Sequence, residues 1–251
     1  MKLAGRMARL GTESAFEVLA RARELEAEGR SIINLGIGQP DFKTPENIVD
    51  AGRKALAEGH HGYTPGNGTM ALREAVAGDI ATHRGVEINA NNVVVVPGGK
   101  VTMFFAALMF GEVGAEILYP NPGFPIYKSA IEFSGATAVP IPLYEDTGFS
   151  FSAEEVLSKI TPRTRLIMLN SPANPTGGVT PKVEFDRLVE GLEGHPDVAI
   201  MSDEIYSRLL YDGQEHVSLL SYPSIRDRVI LLDGWSKTYA MTGWRIGYGV
   251  W

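Results

Sequence analysis

The chain has 251 residues, 44% of them hydrophobic and 21% charged, which suits one large globular α/β domain with a small appendage. Its formal charge of −7 excludes the basic field that nucleic acid or an anionic membrane would need, and no apolar run approaches membrane-spanning length. With no cysteine there is no thiol nucleophile, disulfide or thiolate metal site; residues 1–9 lack a signal peptide's apolar core, so a cytoplasmic protein is expected.

Residues 14–28 set Phe16, Leu19 and Leu25 among charges and stop at Gly29, the pattern of an amphipathic helix. Residues 32–35 read as a short strand entering the loop Gly36-Ile-Gly38-Gln-Pro-Asp-Phe42. Thr44 and Pro45 predict the N-cap and first position of a second helix, which runs to Glu58 before Gly59. A loop at 62–68 leads into a helix at 69–82, and Val93-Val-Val-Val96 reads as a buried strand breaking at Gly98-Gly99-Lys100. The helix after it, 101–110, is apolar enough to be largely buried. Further strands are expected at 116–119, 138–141, 166–170, 198–202 and 229–232, with helices at 126–133, 153–159 and 182–192. This alternation predicts an α/β fold, a mostly parallel sheet with helices on both faces.

Ligands of such sheets gather at the carboxyl ends of the strands. Five predicted strand ends carry polar or flat groups: Gly98-Gly99-Lys100, Asn121-Pro-Gly-Phe124, Asn170-Ser-Pro-Ala-Asn174, Asp203-Glu-Ile-Tyr206 and Ser236-Lys237. Gly98-Gly99-Lys100 before a helix suits an anion or is a structural tight turn. The Walker spacing fails there, and no Gly-x-Gly-x-x-Gly follows a strand, so nucleotide binding is disfavoured. Asp203 caps a following helix or is a buried partner for a cationic ring nitrogen; Tyr206, three residues on, faces the same side of a helical turn. Phe124 is core or a flat stacking face. Asn174, between two prolines, is a turn residue or a rigid amide donor. Arg245, among Gly243 and Gly247, pairs with a surface acid or clamps a phosphate. His60, His61, His83, His195 and His216 show no metal-ligand spacing and read as surface or helix-end residues, so no metal site is expected.

The last stretch adds a further candidate. Val229-Ile-Leu-Leu is a buried strand, and a small-residue turn then presents Lys237. That lysine is either a surface residue of a loop or, flanked by small and apolar groups, a partly desolvated amine whose uncharged, nucleophilic form makes a Schiff base with an aldehyde. Asn174-Pro-Thr-Gly, Asp203-Glu-Ile-Tyr206 and Ser236-Lys237-Thr-Tyr-Ala-Met-Thr-Gly-Trp-Arg245-Ile-Gly-Tyr resemble the class I/II aminotransferases, fold-type I pyridoxal-phosphate enzymes of the aspartate aminotransferase superfamily. Gly36-Ile-Gly38-Gln-Pro-Asp-Phe, Tyr63-Thr-Pro-Gly-Asn-Gly and Pro122-Gly-Phe124-Pro also look like landmarks of that family.

The resemblance implies the cofactor pyridoxal 5′-phosphate and an exchange of the amino group between an amino acid and a 2-oxo acid. Lys237 would bear the cofactor and shuttle a proton, Asp203 would keep its ring nitrogen protonated, and Asn174 and Tyr206 would bond its 3-oxygen. Phe124 would stack on the ring; Gly98, Gly99, Lys100 and Arg245 would hold its phosphate, and Ser236 would also bind the cofactor. Tyr63 would reach the phosphate of a neighbouring subunit, making a homodimer with shared sites, and Gly38 and Asn174 would border the substrate. Lys100 also hints at an acidic substrate's distal carboxylate. The implied organisation is an N-terminal arm and small-domain segment over 1–45 and a cofactor-binding large domain over 46–251. Two departures accompany the likeness. Gly234 stands where many relatives have serine, and the chain ends at Trp251, where the family continues into a C-terminal small domain, so a fragment is expected. A β-eliminating C–S lyase, an inactive fragment and a cofactor-sensing module are the alternatives.

Overall fold

The computed structural model describes residues 1–11 and 14–251, without the side chains of Ser14 and Phe16, so the predicted role of Phe16 lies outside the described residues. Helices α1 to α7 are Ser14–Ala27, Glu46–Ala57, Met70–Arg84, Lys100–Phe110, Ile126–Ser134, Ala153–Ser158 and Lys182–Leu192. Strands β1 to β7 are Val93–Val96, Glu116–Asn121, Thr137–Pro142, Thr164–Asn170, Ala199–Asp203, Val229–Gly234 and Gly247–Val250. None of the described helices is long and apolar enough to cross a membrane.

The strands form one sheet in the order β1-β7-β6-β5-β4-β2-β3, parallel except for β7, which runs against both neighbours. Because side chains alternate across a strand, the buried runs divide between two cores. Leu118, Ile167, Leu169, Ile200 and Leu231 pack with Val76 and Ile80 of α3, Val156 of α6 and Phe185 and Leu188 of α7. Ile117, Leu166, Met168, Met201 and Ile230 point the other way, to Met103 and Ala106 of α4 and Tyr127 and Ile131 of α5. Each fully buried aliphatic chain contributes roughly 1.5–3 kcal/mol relative to exposure. Covering both faces is what permits strands as continuously apolar as Leu166-Ile-Met-Leu.

Four expectations need correction. Residues 32–35 form no strand: Ile33 and Leu35 are exposed and no ladder partner lies beside them among the described residues. Thr44 does not cap α2, whose N-cap is Pro45 with no side-chain bond; its hydroxyl is engaged elsewhere. Helix α4 buries Met103 and Ala106 but leaves Phe105 and Met109 exposed, because the sheet covers only one side of it. Strand β7 is additional to the expected set, since Gly-Tyr-Gly-Val lacks a strand's density of branched residues. A methyl on Gly247 would come within 2.8 Å of the Gly99 nitrogen, and one on Gly249 within 2.8 Å of Thr102 Cγ2, so close packing selects glycine there.

The antiparallel β7 places β1 and β6 parallel to each other, so β1, β6, β5, β4 and β2 all end on one rim. β7 starts at that rim, where Gly247 lies level with Val96 on one side and Gly234 on the other.

Candidate active site

This register brings Arg245 to the turn after β1. Gly98 takes φ +88°, a left-handed conformation that glycine adopts without strain, and Arg245, itself at φ +54°, enters β7 beside it. A methyl on Gly98 would sit 2.2 Å from Arg245 Nη2, so the glycine is what lets the guanidinium lie against the turn. Arg245 Nη1 also donates to the Thr242 carbonyl at 2.8 Å. Close packing also selects glycine at Gly234, where a methyl would lie 2.9 Å from Gly247 Cα.

Lys237 follows β6 in a half-buried turn with Ser236. Its Nζ donates to the Gly38 carbonyl at 2.6 Å and stands 5.9 Å from the centre of the Tyr206 ring. The loop carrying it is fastened from two directions. Thr44 donates to the Ala240 carbonyl at 2.8 Å and accepts from Trp244 Nε1 at 3.2 Å, while Thr242 donates to Gln39 Oε1 at 3.1 Å. On the other side Tyr239 accepts from Arg208 at 2.8 Å, and Arg208 is paired with Asp79 of α3.

Asp203 closes β5, next to β6, and is buried. Alternation along β5 turns its carboxylate toward α5, where the Tyr127 hydroxyl donates to Oδ2 at 2.7 Å; the Ile205 N–H reaches Oδ1 at 3.3 Å. Burial pushes the carboxyl up to about 6, although both donors pull it down. Asn170 Nδ2 donates to the Asp203 carbonyl at 2.9 Å, and Asn170 Oδ1 accepts from the Asn174 N–H at 2.8 Å, so one amide joins two strand ends. Tyr206 lies in a turn, not the helical segment expected. Burial and the charge of Asp203 push its phenol up to about 12, against a hydrogen bond with Asn174. Phe124 packs edge-on to Tyr127, centroids 5.8 Å apart at 86°, and Lys100 Nζ stands 5.1 Å from the Phe124 centroid. Tyr63, in the 62–68 loop, is fully exposed.

One contact chain thus runs from Lys100 through Phe124 and Tyr127 to Asp203. A second links Asn174, Tyr206, Lys237 and Gly38, and Arg245 meets Gly98 on the same rim. Sequence reasoning missed Tyr127, because a tyrosine in an amphipathic helix reads as core, and it placed Asn170 at a strand end without giving it a role.

It also missed the buried charges on the opposite face of the sheet. Arg84 ends α3 and bonds Glu204 Oε2 at 2.8 Å and Asp233 Oδ2 at 2.5 Å. Glu204 Oε1 accepts from Ser202 at 3.0 Å and Ser218 at 2.9 Å, and His216 Nε2 lies 2.9 Å from Oε2. His216 is therefore a nearly buried network member and not the surface residue expected. Burial alone would raise Glu204, but the Arg84 charge and the His216 contact carry it down to about 2. Asp233, which shares Arg84, is held above the ordinary carboxylate range by burial.

A mostly parallel, doubly covered sheet whose rim presents an amine, a buried carboxylate and an arginine beside a glycine turn is an α/β arrangement that suits an anionic ligand. Residues 30–251 match the family described as aminotransferase class I and II, and the chain belongs to that family. It is 37% identical over 249 residues to an aspartate aminotransferase of Geobacillus stearothermophilus, covering 99% of this chain and 63% of that protein. Among solved structures, an aspartate aminotransferase from Rhizobium meliloti superposes with TM-score 0.94 at 33% identity, over 100% of this chain and 63% of that one. The aspartate aminotransferase from Thermus thermophilus with maleate gives TM-score 0.93 at 35% identity, over 100% of this chain and 64% of that one. The chain thus spans just under two thirds of the length of these relatives.

Proposed function

We propose that this chain forms most of the cofactor-binding part of a pyridoxal-phosphate-dependent aminotransferase, which moves an amino group between an amino acid and a 2-oxo acid. The carrying observation is the Arg245 guanidinium lying against Gly98, a cradle a Cβ would fill, on the rim where Asp203 closes one parallel strand and Lys237 follows its neighbour. These groups fit the cofactor that the family implies: a fixed cation and a glycine turn for its phosphate, a buried carboxylate for its ring nitrogen, and an amine for its aldehyde. When bound, pyridoxal phosphate supplies an electron-withdrawing ring that stabilises negative charge at the substrate Cα.

The chain's own groups have these tasks. Gly98, Gly99, Lys100 and Ser236 with Arg245 hold the phosphate end. Asp203 holds a proton on the ring nitrogen: the burial that lifts its carboxyl to about 6 makes a cationic partner the most effective relief. Asn174 and Tyr206, already bonded to each other, orient the edge carrying the 3-oxygen, and Phe124 covers a ring face. Lys237 Nζ is the amine that would hold the cofactor's aldehyde end, and the base placed to carry a proton to and from the substrate Cα. Its present acceptor, the Gly38 carbonyl, belongs to a segment that borders the substrate.

Residues 1–45 are the arm and small-domain segment in this reading, and 46–251 belong to the large domain. The exposed Tyr63, Ile33 and Leu35 support a homodimer in which a second copy covers them and Tyr63 enters its site. Aspartate aminotransferase relatives, one of them with maleate, a dicarboxylate, favour an acidic amino acid, with Lys100 as the cation for its distal carboxylate. Those relatives favour transamination over β-elimination. The test is borohydride reduction of the full-length protein loaded with pyridoxal phosphate, followed by peptide mapping. The cofactor's mass fixed on Lys237, absent in Lys237→Ala, and conversion of the amino acid dependent on a 2-oxo acid are expected. Label on another lysine, or keto-acid release without an acceptor, overturns the reading.

A further inference from the structure

We propose that Tyr127 is the positioning residue of this site, one buried phenol bracing two of its walls. Its side chain is 0% exposed and anchored among Ile117, Ala130 and Ile131, so it has no freedom to follow a ligand. Its hydroxyl donates to Asp203 Oδ2 at 2.7 Å, while Oδ1 accepts the longer Ile205 N–H bond at 3.3 Å. Its ring meets Phe124 edge to face. The wall that stacks and the wall that pairs with the ring nitrogen come from different elements, the loop before α5 and the end of β5. Tyr127 is the group that touches both.

The chemistry gives the brace a direction. Asp203 is faced by Tyr127 from α5, by Tyr206 from the turn that follows β5, and by the negative charges of Glu204 and of Asp233 on β6. Glu204 and Asp233 are both paired with Arg84 on the far side of the sheet. Burial and these like charges favour a protonated Asp203, which pairs weakly with a cationic ring. A phenol held at hydrogen-bond distance favours the ionised form and fixes the rotamer in which the remaining lone pairs face the rim. The phenol itself stays protonated: burial and the adjoining carboxylate raise its pKa well above the ordinary value.

The inference rests on the roles given above to Asp203 and Phe124, so its test separates the two. In the cofactor-free protein, Tyr127→Phe removes the hydroxyl and keeps the ring; the Asp203 carboxyl, followed by carbon NMR, should titrate at higher pH. In the full-length protein the same change should weaken pyridoxal-phosphate affinity about tenfold by fluorescence quenching, while Tyr127→Leu, which also removes the edge contact, should weaken it further. Tyr127→Phe in an Asp203→Ala background should change affinity less than about twofold, because the partner is gone. 3-Fluorotyrosine at 127, a stronger donor of nearly the same shape, should shift the Asp203 titration downward and covers the case of a poorly folded phenylalanine variant. An unmoved Asp203 titration, or a full affinity loss that persists without Asp203, overturns the positioning role. A wild-type protein that binds no cofactor overturns the functional reading instead, while the cofactor-free titration still reports on Tyr127.

Discussion

Replacing Arg84 by methionine tests the electrostatics beneath the site. The methionine keeps most of the aliphatic stem and removes the charge, leaving Glu204 and Asp233, both buried, without their shared cation. Breaking one buried pair costs about 3–5 kcal/mol. The two pairs do not simply add, because Glu204 keeps Ser202, Ser218 and His216, and Asp233 keeps the Gly234 N–H at 2.6 Å and the Tyr248 hydroxyl at 3.2 Å. A loss of about 4 kcal/mol at neutral pH is expected, a large share of a typical domain's roughly 5–15 kcal/mol. The pH dependence has a definite sign. With Glu204 lowered from 4.5 to about 2, the wild-type protein draws stability from it that is complete above the ordinary carboxylate range and lost as pH falls toward 2. Without Arg84 the unpaired carboxyls rise above their ordinary values, so the folded variant holds protons that the unfolded chain releases, and its stability falls as pH rises. Urea unfolding of the cofactor-free protein at pH 7.5 and pH 5 should therefore show a deficit that shrinks in acid. A deficit under about 1 kcal/mol at pH 7.5, or one equal at both pH values, would refute this account of the network.

Gly98→Ala should weaken pyridoxal-phosphate or inorganic phosphate binding more than about tenfold, since the methyl displaces the Arg245 guanidinium and strains a left-handed backbone; isothermal titration with unchanged affinity would count against the cradle. Arg228→Ala should cost about 2 kcal/mol in thermal unfolding without altering cofactor affinity. Its guanidinium bonds the carbonyls of Leu192, the last residue of α7, and of His195 and Val198 in the connection to β5, far along the sheet from the rim. An unchanged melting temperature would mean that water satisfies those carbonyls equally well.

The order of residues along the chain was enough to specify most of the elements and most of the rim. Branched and leucine-rich runs can satisfy their burial only inside a covered parallel sheet, and the residues after each run sit at its carboxyl end whatever the strand order. The rim positions of Lys237, Asp203 and Asn174 were legible for that reason, whereas Arg245 stood out only by its glycine neighbours and its family spacing. Which ends are neighbours is a matter of packing alone. The antiparallel β7, invisible in a glycine-rich stretch, sets Gly247 level with Val96 and Gly234 and so delivers Arg245 to Gly98. Thr44 looks like a cap because capping residues are recognised by their neighbours along the chain; its hydroxyl instead bonds a carbonyl 196 residues away. Tyr127, Arg84, Glu204 and His216 were equally hidden. A side chain's type states what it can donate or accept, but the partner that fixes its charge comes from a distant segment, and only the folded arrangement brings the two together.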